Sequence, residues 1–442
     1  MIFLNAYDTA NELIRLISKY GYEAYLVGGC VRDYIMGREC DDIDIACSAK
    51  PNQLEEILDR LNIKYIETGI KHGTVTVHYK ESCFEVTTFR TDGEYTDNRH
   101  PEKVSFVSSI DGDLARRDFT VNAIAFNEDK GFVDLYGGRK DIESNTIRAV
   151  GDADKRFKED ALRIMRAIRF QSVLGFDIEV NTKKAIFDNM DLLKNVSSER
   201  IFVELKKLLS GKNVFKALVE YKEVIAVILP EITRTFDCPQ NTRWHIYDVW
   251  THTCKAVEMV KNEPELRFIM LLHDIGKPFA RTTDCKGVDH FKGHQAISGE
   301  MAEPILKRLK VSNDFYNRVM TIIPIHDIHI SSDKRKIKKL LSMLGKDAFQ
   351  DLIDVKRADK LAQNPEMTGD ELESLNKREA VFNAIIAGGE AYSVSQLDIN
   401  GKDISSLGFK GKEIGEALNK LLDAVVNEKV ENKKEKLIEY IK

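Results

Sequence analysis

The sequence predicts an α+β unit, with a mixed sheet and helices, over residues 1–150, followed by a mostly α-helical body. Short stretches rich in β-branched and aromatic residues recur before residue 91 and are typical of strands. After Gly151, apolar residues recur at helical spacing and strand signals are nearly absent. The composition, 43% hydrophobic and 31% charged, is that of a globular chain of roughly two to four domains.

The elements of the first unit follow from local signals. The first helix is expected to begin at Asp8, a favoured N-cap residue, and to end at Gly21. Four strands are predicted, over residues 23–27, 42–46, 73–79 and 84–90. A helix-like segment, CVRDYIMG, follows the glycines after the first strand.

The remainder of the chain is predicted to be helical. Apolar residues at helical spacing predict helices over residues 158–170, 198–209, 213–228, 247–261, 266–273, 295–309 and 412–427. The longest uninterrupted apolar stretch, VIAVIL at 224–229, is far too short to cross a membrane, so no membrane association is expected.

Charge and cysteine usage narrow the class of protein. The net charge of −5 argues against a wholly basic nucleic-acid coat but leaves room for local basic faces that bind RNA. The seven cysteines form no C-x-x-C pair, which is typical of reduced thiols in a cytoplasmic protein. The N-terminus has no basic start followed by a long apolar run, so no signal peptide is expected.

Two aspartates in the second predicted strand indicate a magnesium site. Asp42 and Asp44 are expected on one face of that strand, with Cα atoms roughly 6.5–7 Å apart. Neighbouring carboxylates repel each other unless a cation lies between them, and oxygen ligands suit Mg²⁺. A two-metal site of this kind activates a hydroxyl and stabilises a leaving phosphate. Glu85, in a later strand, is a candidate third catalytic carboxylate.

A glycine turn lies just ahead of this acidic pair. Gly28 and Gly29 follow a predicted strand, and their backbone N–H groups can approach a polyphosphate closely. Arg32 can neutralise a phosphate oxygen. The magnesium ions expected at the acidic pair and the glycine turn together predict a site for a nucleoside triphosphate.

A row of charged residues at 158–170 is a candidate reader of nucleobases. Asp160, Arg163, Arg166 and Arg169 follow one another at a spacing of three residues and would share one helix face. An aspartate can accept from the exocyclic amine of C or A, while arginine donates to ring nitrogen or carbonyl oxygen. An ion-paired amphipathic helix is the alternative interpretation.

Six segments form an ordered set of motifs: LVGGCVRD (26–33), DIDIA (42–46), TGIKHGTV (68–75), RTDGEYTDNRHP (90–101), DLARRDFTVNAIA (113–125) and KEDALRIMRAIRF (158–170). In this order they resemble the class II tRNA nucleotidyltransferase and bacterial poly(A) polymerase family. The resemblance implies that Arg117 contacts the triphosphate, that Asp118 accepts from the ribose 2′-hydroxyl, and that residues 90–101 form a mobile loop. It also implies that the row beginning at Asp160 selects CTP and then ATP.

Most of the ten histidines lie in a second constellation, between residues 245 and 359. Its order, H…HD…H…D, resembles the HD metal-dependent phosphohydrolase family. The resemblance implies one divalent metal, Mn, Fe, Ni or Zn, held by His252, His273, Asp274 and Asp359. His290, His294 and His326 are candidates for a second metal or for phosphate binding. Phosphodiesterase or phosphatase action on 2′,3′-cyclic or 2′-phosphate ends is implied, and a purely structural metal is the alternative.

These resemblances together imply four domains. They are a nucleotidyltransferase (palm) domain at 1–150, a helical nucleobase-reading and RNA-binding region at 151–240, an all-α HD domain at 241–365 and a helical RNA-contacting tail at 366–442.

The leading functional hypothesis is addition of CCA to the tRNA 3′ end from CTP and ATP, with Mg²⁺. The first alternative is an A-adding tRNA nucleotidyltransferase or a poly(A) polymerase. The second alternative is an RNA-binding HD phosphohydrolase with an inactive N-terminal domain.

Overall fold

In a computed structural model, the chain forms two compact units, Met1–Pro230 and Glu231–Lys442. The structure describes residues 2–40, 42–69, 73–93 and 104–442. The middle of the TGIKHGTV segment and most of the 90–101 loop lie outside the described residues. Within the described part of the chain, no helix is long and apolar enough to cross a membrane.

The first unit is built on one mixed sheet. Its strands are β1 (Ala24–Val27), β2 (Asp44–Cys47), β3 (Lys64–Gly69), β4 (Thr74–Tyr79), β5 (Ser82–Thr88), β8 (Ala125–Asn127) and β9 (Gly131–Val133). Their order is β3-β4-β5-β2-β1-β8-β9. The β2–β5 pair is parallel, whereas the other neighbours are antiparallel. The predicted mixed sheet is therefore confirmed.

Short strands form small separate pairs. β6 (Arg90–Asp92) pairs with β7 (Val104–Phe106), β10 (Thr146–Ile147) with β11 (Asp177–Ile178), and β12 (Thr282–Thr283) with β13 (Asp289–His290).

Helices cover the sheet and continue to the end of the first unit. They are α1 (Ile2–Lys19), α2 (Gly29–Ile35), α3 (Pro51–Arg60), α4 (Ile110–Ala115), α5 (Gly138–Glu143), α6 (Ala153–Glu159), α7 (Leu162–Leu174), α8 (Val180–Asn189), α9 (Ser198–Leu209), α10 (Val214–Glu220) and α11 (Lys222–Ile228). Leu13, Ile14 and Ile17 of α1 are buried, as their spacing predicts.

The second unit is helical apart from the β12–β13 pair. Its helices are α12 (Val249–Met259), α13 (Pro264–Leu272), α14 (Lys277–Ala280), α15 (His294–Arg308), α16 (Asn313–Ile322), α17 (Lys334–Leu344), α18 (Lys346–Leu361), α19 (Pro365–Ala387), α20 (Gly401–Ser406), α21 (Lys412–Val426) and α22 (Lys434–Ile441). A core cluster that includes Ile404, Leu421 and Leu437 joins the last three helices. The predicted helical body is confirmed, but the β12–β13 pair lies within the 241–365 region that was predicted to be all-α.

Four local predictions are wrong in detail. α1 begins well before Asp8, so that residue is not its N-cap. Asp42 precedes β2 instead of lying in it. The predicted helix at 213–228 is divided at Tyr221, whose φ of −117° is not helical. The predicted helix at 158–170 is divided at Asp160, which ends α6 with an extended backbone.

Candidate nucleotide site and candidate metal centre

The glycine turn lies between β1 and α2. Gly28 has φ 81°, a conformation that favours glycine. A Cβ on Gly28 would also lie 2.9 Å from Nη1 of Arg117. Glycine is therefore needed twice at this position, for the turn itself and for the close approach of a guanidinium to the backbone.

Carboxylates meet beside this turn. Asp44 begins β2 and is in register with Glu85 of the parallel neighbour β5, while Asp42 is exposed just before the strand. Burial raises the pKa of Asp44 to about 6, and the charges of Glu85 and Asp42 add to that rise while Arg117 opposes it. A region in which neighbouring carboxylates help to raise the pKa of Asp44 fits a divalent cation with oxygen ligands, as predicted for Mg²⁺.

A cavity of about 530 Å³ opens at the glycine turn. Among the described residues, its lining comprises Gly28, Gly29, Arg32, Asp44, Arg116, Arg117, Asp118, Asn122, Asp160, Leu162, Arg163, Arg166, Arg169, Phe170 and Arg200. All nine predicted nucleotide-binding residues thus line one cavity, whereas Asp42 and Glu85 are outside this lining. Arginines outnumber aspartates seven to three in it, which suits a polyanionic ligand.

Both carboxylate oxygens of Asp118, in the cavity wall, accept hydrogen bonds. Its Oδ1 accepts from the backbone N–H of Phe119 at 2.8 Å and from Asn122 at 3.3 Å. Its Oδ2 accepts from Nε of Arg166 at 2.7 Å. Burial alone would raise the pKa of Asp118, but the charge and hydrogen bond of Arg166, with the charge of Arg163 and the Phe119 N–H, together outweigh burial and lower the pKa to about 2. A ribose hydroxyl would therefore meet a carboxylate that already holds several donors.

The predicted single face of charged residues is divided into separate pairs. Asp160 lies between α6 and α7, and its Oδ2 accepts from Arg200 at 2.9 Å. Arg163 donates to Glu159 at 2.8 Å and to the carbonyl of Arg116 at 3.1 Å. Arg163 is therefore anchored, whereas Arg200 offers a further guanidinium at the position predicted to read a base.

Residues of α9 and α7 complete this wall. The buried Glu204 lies 3.1 Å from Nε of Arg169 and 3.9 Å from Nη1 of Arg166. The guanidinium of Arg169 lies over the Phe170 ring, with its Cζ atom 4.1 Å from the ring centroid. The sequence analysis missed Arg200, Glu204 and Phe170. Arg200 and Glu204, a charged pair four residues apart on α9, were an available signal. Nothing in the sequence pattern indicated that they pair with Asp160 and with Arg169.

The histidine constellation forms a second cavity, of about 430 Å³, in the other unit. His252 lies on α12, His273 and Asp274 follow α13, and Asp359 lies on α18. Possible ligand atoms of these four residues all lie within 4.8 Å of one another. Nε2 of His252 is 3.0 Å from Asp359, and Nε2 of His273 is 3.1 Å from Asp274.

A second group shares Asp274. Ligand atoms of His294, which begins α15, and of His326 also lie within 4.8 Å of those of Asp274. The other oxygen of Asp274, Oδ1, is 3.2 Å from Nε2 of His294 and 3.7 Å from Nε2 of His326. The two carboxylate oxygens of Asp274 thus face separate pairs of imidazoles.

Backbone carbonyls orient all four imidazoles. Because a carbonyl only accepts, each Nδ1 carries the hydrogen and each Nε2 is left for a ligand. The Nδ1 acceptors are the carbonyls of Ala362 for His252, Met270 for His273, Phe291 for His294 and Ile323 for His326. Such outer hydrogen bonds are typical of histidines that bind metals.

The electrostatics favour a cation among these residues. Nε2 of His273 is buried and, among the described residues, makes no hydrogen bond of acceptable angle. Burial opposes a charge on His273, but the carboxylates of Asp274 and Asp359 together outweigh burial and raise the pKa of His273 to about 9. Nε2 of His294 and His326 are only 3.1 Å apart. Two such nitrogens with lone pairs facing each other fit a shared cation.

The structure separates His290 from both groups. Its Nε2 lies 3.2 Å from the exposed Asp284, although His290 lines the cavity. The sequence analysis missed Lys277, whose Nζ is 2.6 Å from Asp274, and His245, whose ring packs 5.0 Å from that of His252. Lys277 lies in the segment HDIGKP (273–278), where its position three residues after Asp274 was an available signal.

Three family models match the chain. Residues 24–148 match the poly A polymerase head domain, residues 175–235 match the "Probable RNA and SrmB- binding site of polymerase A", and residues 293–441 match the tRNA nucleotidyltransferase domain 2.

Curated relatives extend this match. The chain is 34% identical to a CCA-adding enzyme of Limosilactobacillus reuteri over 98% of this chain and 96% of that protein. It is 44% identical to a CCA-adding enzyme of Geobacillus thermodenitrificans over 59% of this chain, and the matched segment spans 66% of that relative.

Solved structures agree. The crystal structure of Bacillus stearothermophilus CCA-adding enzyme in complex with CTP has a TM-score of 0.73 and 31% identity, covering 99% of this chain and 96% of that chain. A Thermotoga maritima CCA-adding enzyme complexed with tRNA is similar in fold, with a TM-score of 0.57 and 22% identity over 97% of this chain and 93% of that chain.

Proposed function

Because the chain belongs to the CCA-adding enzyme family, we propose that it is a nucleotidyltransferase that adds CCA to the 3′ end of tRNA from CTP and ATP. One observation carries the proposal most: a glycine turn, Asp44 and an arginine-rich wall line one cavity. The glycine turn and Arg117 would hold the triphosphate. The acidic side chain of Asp44, with Asp42 and Glu85 nearby, would hold two Mg²⁺ ions.

In the proposed reaction the RNA 3′-hydroxyl attacks the α-phosphorus of the nucleotide, and pyrophosphate leaves. Bound Mg²⁺ would supply charge neutralisation and a more acidic attacking hydroxyl. The residues of the chain mainly orient the reactants. Asp118 and its partner Arg166 form the wall on the ribose side. Asp160, held by Arg200, is the proposed acceptor for the exocyclic amine of C or A.

An incorporation assay tests this proposal. The purified protein is incubated with Mg²⁺, labelled CTP or ATP, and tRNA that lacks its end. Incorporation of C followed by a single A is the expected result. Incorporation of A alone would favour the A-adding or poly(A) alternative. No incorporation would overturn transfer and favour an RNA-binding hydrolase with an inactive first unit.

A second activity is favoured by a separate observation, the convergence of four oriented imidazoles on Asp274. We propose an HD-type metal centre there, with His252, His273, Asp274 and Asp359 holding one divalent ion. His294, His326 and the shared Asp274 would hold a second. Bound metal would supply an activated water for hydrolysis of 2′,3′-cyclic or 2′-phosphate ends.

Metal analysis and hydrolysis assays test this second proposal. Protein loaded with Mn²⁺, Fe²⁺, Ni²⁺ or Zn²⁺ is assayed on 2′,3′-cyclic and 2′-phosphorylated nucleotides. Hydrolysis with at least one bound metal per chain is expected. If the protein binds metal stoichiometrically but none of the four metals supports hydrolysis, the bound ion is structural.

A further inference from the structure

Asp113 lies on α4, behind the nucleotide cavity, and binds two neighbouring arginines. Its side chain is fully buried. Oδ1 accepts from Nε and Nη2 of Arg116 at 3.0 and 2.7 Å, and Oδ2 accepts from Nε and Nη2 of Arg117 at 3.3 and 3.0 Å. A single buried carboxylate thus holds the guanidiniums of Arg116 and Arg117, which directly follow α4 and line the cavity.

The third guanidinium nitrogen of Arg117 lies on the side of Gly28 and Asp44. While Nε and Nη2 point to Asp113, Nη1 lies against Gly28, 2.9 Å from the position a Cβ there would take. Oδ2 of Asp44 lies 3.7 Å from that same position. Arg117 therefore lies between two carboxylates, Asp113 on one side and Asp44 on the other.

We propose that Asp113 is a positioning residue that keeps Arg117 from pairing with Asp44, so that Asp44 stays free for a cation and Arg117 for the triphosphate. The inference rests on the proposed nucleotidyl transfer at this cavity. A guanidinium pairs best with a carboxylate through two parallel hydrogen bonds. If Asp113 lost its charge, Asp44, on the Gly28 side of Arg117, would be available as a replacement, and Arg117 would then compete with Mg²⁺.

Asp113→Asn tests this inference, because it keeps the shape of the side chain and removes the charge. The Mg²⁺ concentration for half-maximal CTP incorporation should rise roughly tenfold, the effect of one charge-assisted hydrogen bond. KM for CTP should rise similarly, while kcat at saturating Mg²⁺ and CTP changes less than about twofold. CTP binding in EDTA, measured by equilibrium dialysis, should also weaken. An unchanged Mg²⁺ requirement would overturn the inference.

A double-mutant cycle separates positioning from general destabilisation. In an Arg117→Ala background, Asp113→Asn should add less than about twofold to the Mg²⁺ requirement, and full additivity would contradict the inference. Asp113→Glu, which restores the charge, should stay within about threefold of wild type. If Asp113→Asn does not fold, Asp113→Glu serves as the test. A tenfold rise in the Mg²⁺ requirement of Asp113→Glu would also contradict the inference.

Asp141→Asn is the matched control. Asp141 is a buried aspartate of the same unit that accepts from Thr120 and Arg148 and lies outside the cavity lining of described residues. Its Mg²⁺ requirement should equal that of wild type. Failure of the wild-type protein to incorporate CTP would overturn the proposed transfer itself, which is a different outcome from an unaffected Asp113→Asn.

Discussion

The two cavities concentrate charge in opposite ways. In the nucleotide cavity, permanent cations surround the carboxylates, and Asp118 and Asp160 each hold a guanidinium already. In the histidine cavity, Asp274 and Asp359 face imidazoles whose Nδ1 atoms are bound to backbone carbonyls. A wall of arginines is suited to an anion, whereas oriented nitrogens around buried carboxylates are suited to a cation.

Asp44 makes the comparison sharper. Unlike Asp118, it has carboxylates as neighbours, and its pKa is raised to about 6 where that of Asp118 is lowered to about 2. Two aspartates that line one cavity thus have different electrostatic surroundings. Asp118 is neutralised by the protein itself, whereas Asp44 is suited to a cation from outside.

The largest effect is expected from removing the charge of Asp44. Asp44→Asn should lower CTP incorporation by about 10³-fold or more, because charge stabilisation at the reacting phosphate is lost. Asp42→Ala is expected to abolish transfer as well. Metal content of the histidine cavity and any hydrolysis there should be unchanged. Loss of both activities in folded protein would contradict a division of labour between the two cavities.

The next largest effect concerns the second metal group. His294→Ala should weaken binding of one metal ion by about 100-fold or more, since even loss of an outer partner of a ligand costs about 10–100-fold. Metal analysis after dialysis against a weak chelator measures this loss. His290→Ala is the control, because His290 faces Asp284 and should leave metal content unchanged. Equal losses in both variants would contradict the assignment.

A smaller effect is expected in the pH dependence of stability. Because Asp118 has a pKa of about 2 in the folded protein against an ordinary value of 3.8, the folded state binds fewer protons. This stabilises the fold by about 2 kcal/mol above pH 5, and about half of the gain should remain at pH 3. Urea unfolding of wild type and Asp118→Asn at both pH values measures the difference. A gap that does not shrink at low pH would refute the assignment.

The smallest effect is expected for Arg200. Arg200→Ala should raise KM for CTP and ATP by roughly tenfold, because Asp160 loses a charge-assisted hydrogen bond and adopts more orientations. Steady-state kinetics with tRNA lacking its end measure this change. Lys207→Ala, at an exposed position on the same helix, is the control. A rise of similar size in the control would point to RNA binding instead.

Local patterns predicted those parts of the fold that depend on neighbouring residues. β1, β4 and β5 were predictable because runs of β-branched and aromatic residues have no good alternative to a strand. The glycine turn was predictable because few residues other than glycine adopt φ 81°. The four predicted HD ligands are the same four residues that the structure brings together in one group.

Pairings across long stretches of chain were not predictable. Helical spacing placed Asp160 and Arg163 on one face, but the helix is divided at Asp160, and the partner of Asp160 is Arg200, 40 residues away. Likewise nothing in the histidine spacing distinguished His294, which joins Asp274, from His290, which does not.

The amino-acid sequence alone determined the α+β and helical division, the glycine turn and the chemical types of both sites, because secondary structure and residue chemistry follow from short-range pattern. Only the tertiary structure decided which guanidinium meets which carboxylate and which imidazoles share Asp274. Those choices depend on how helices pack, since packing sets distances between side chains that lie far apart along the chain.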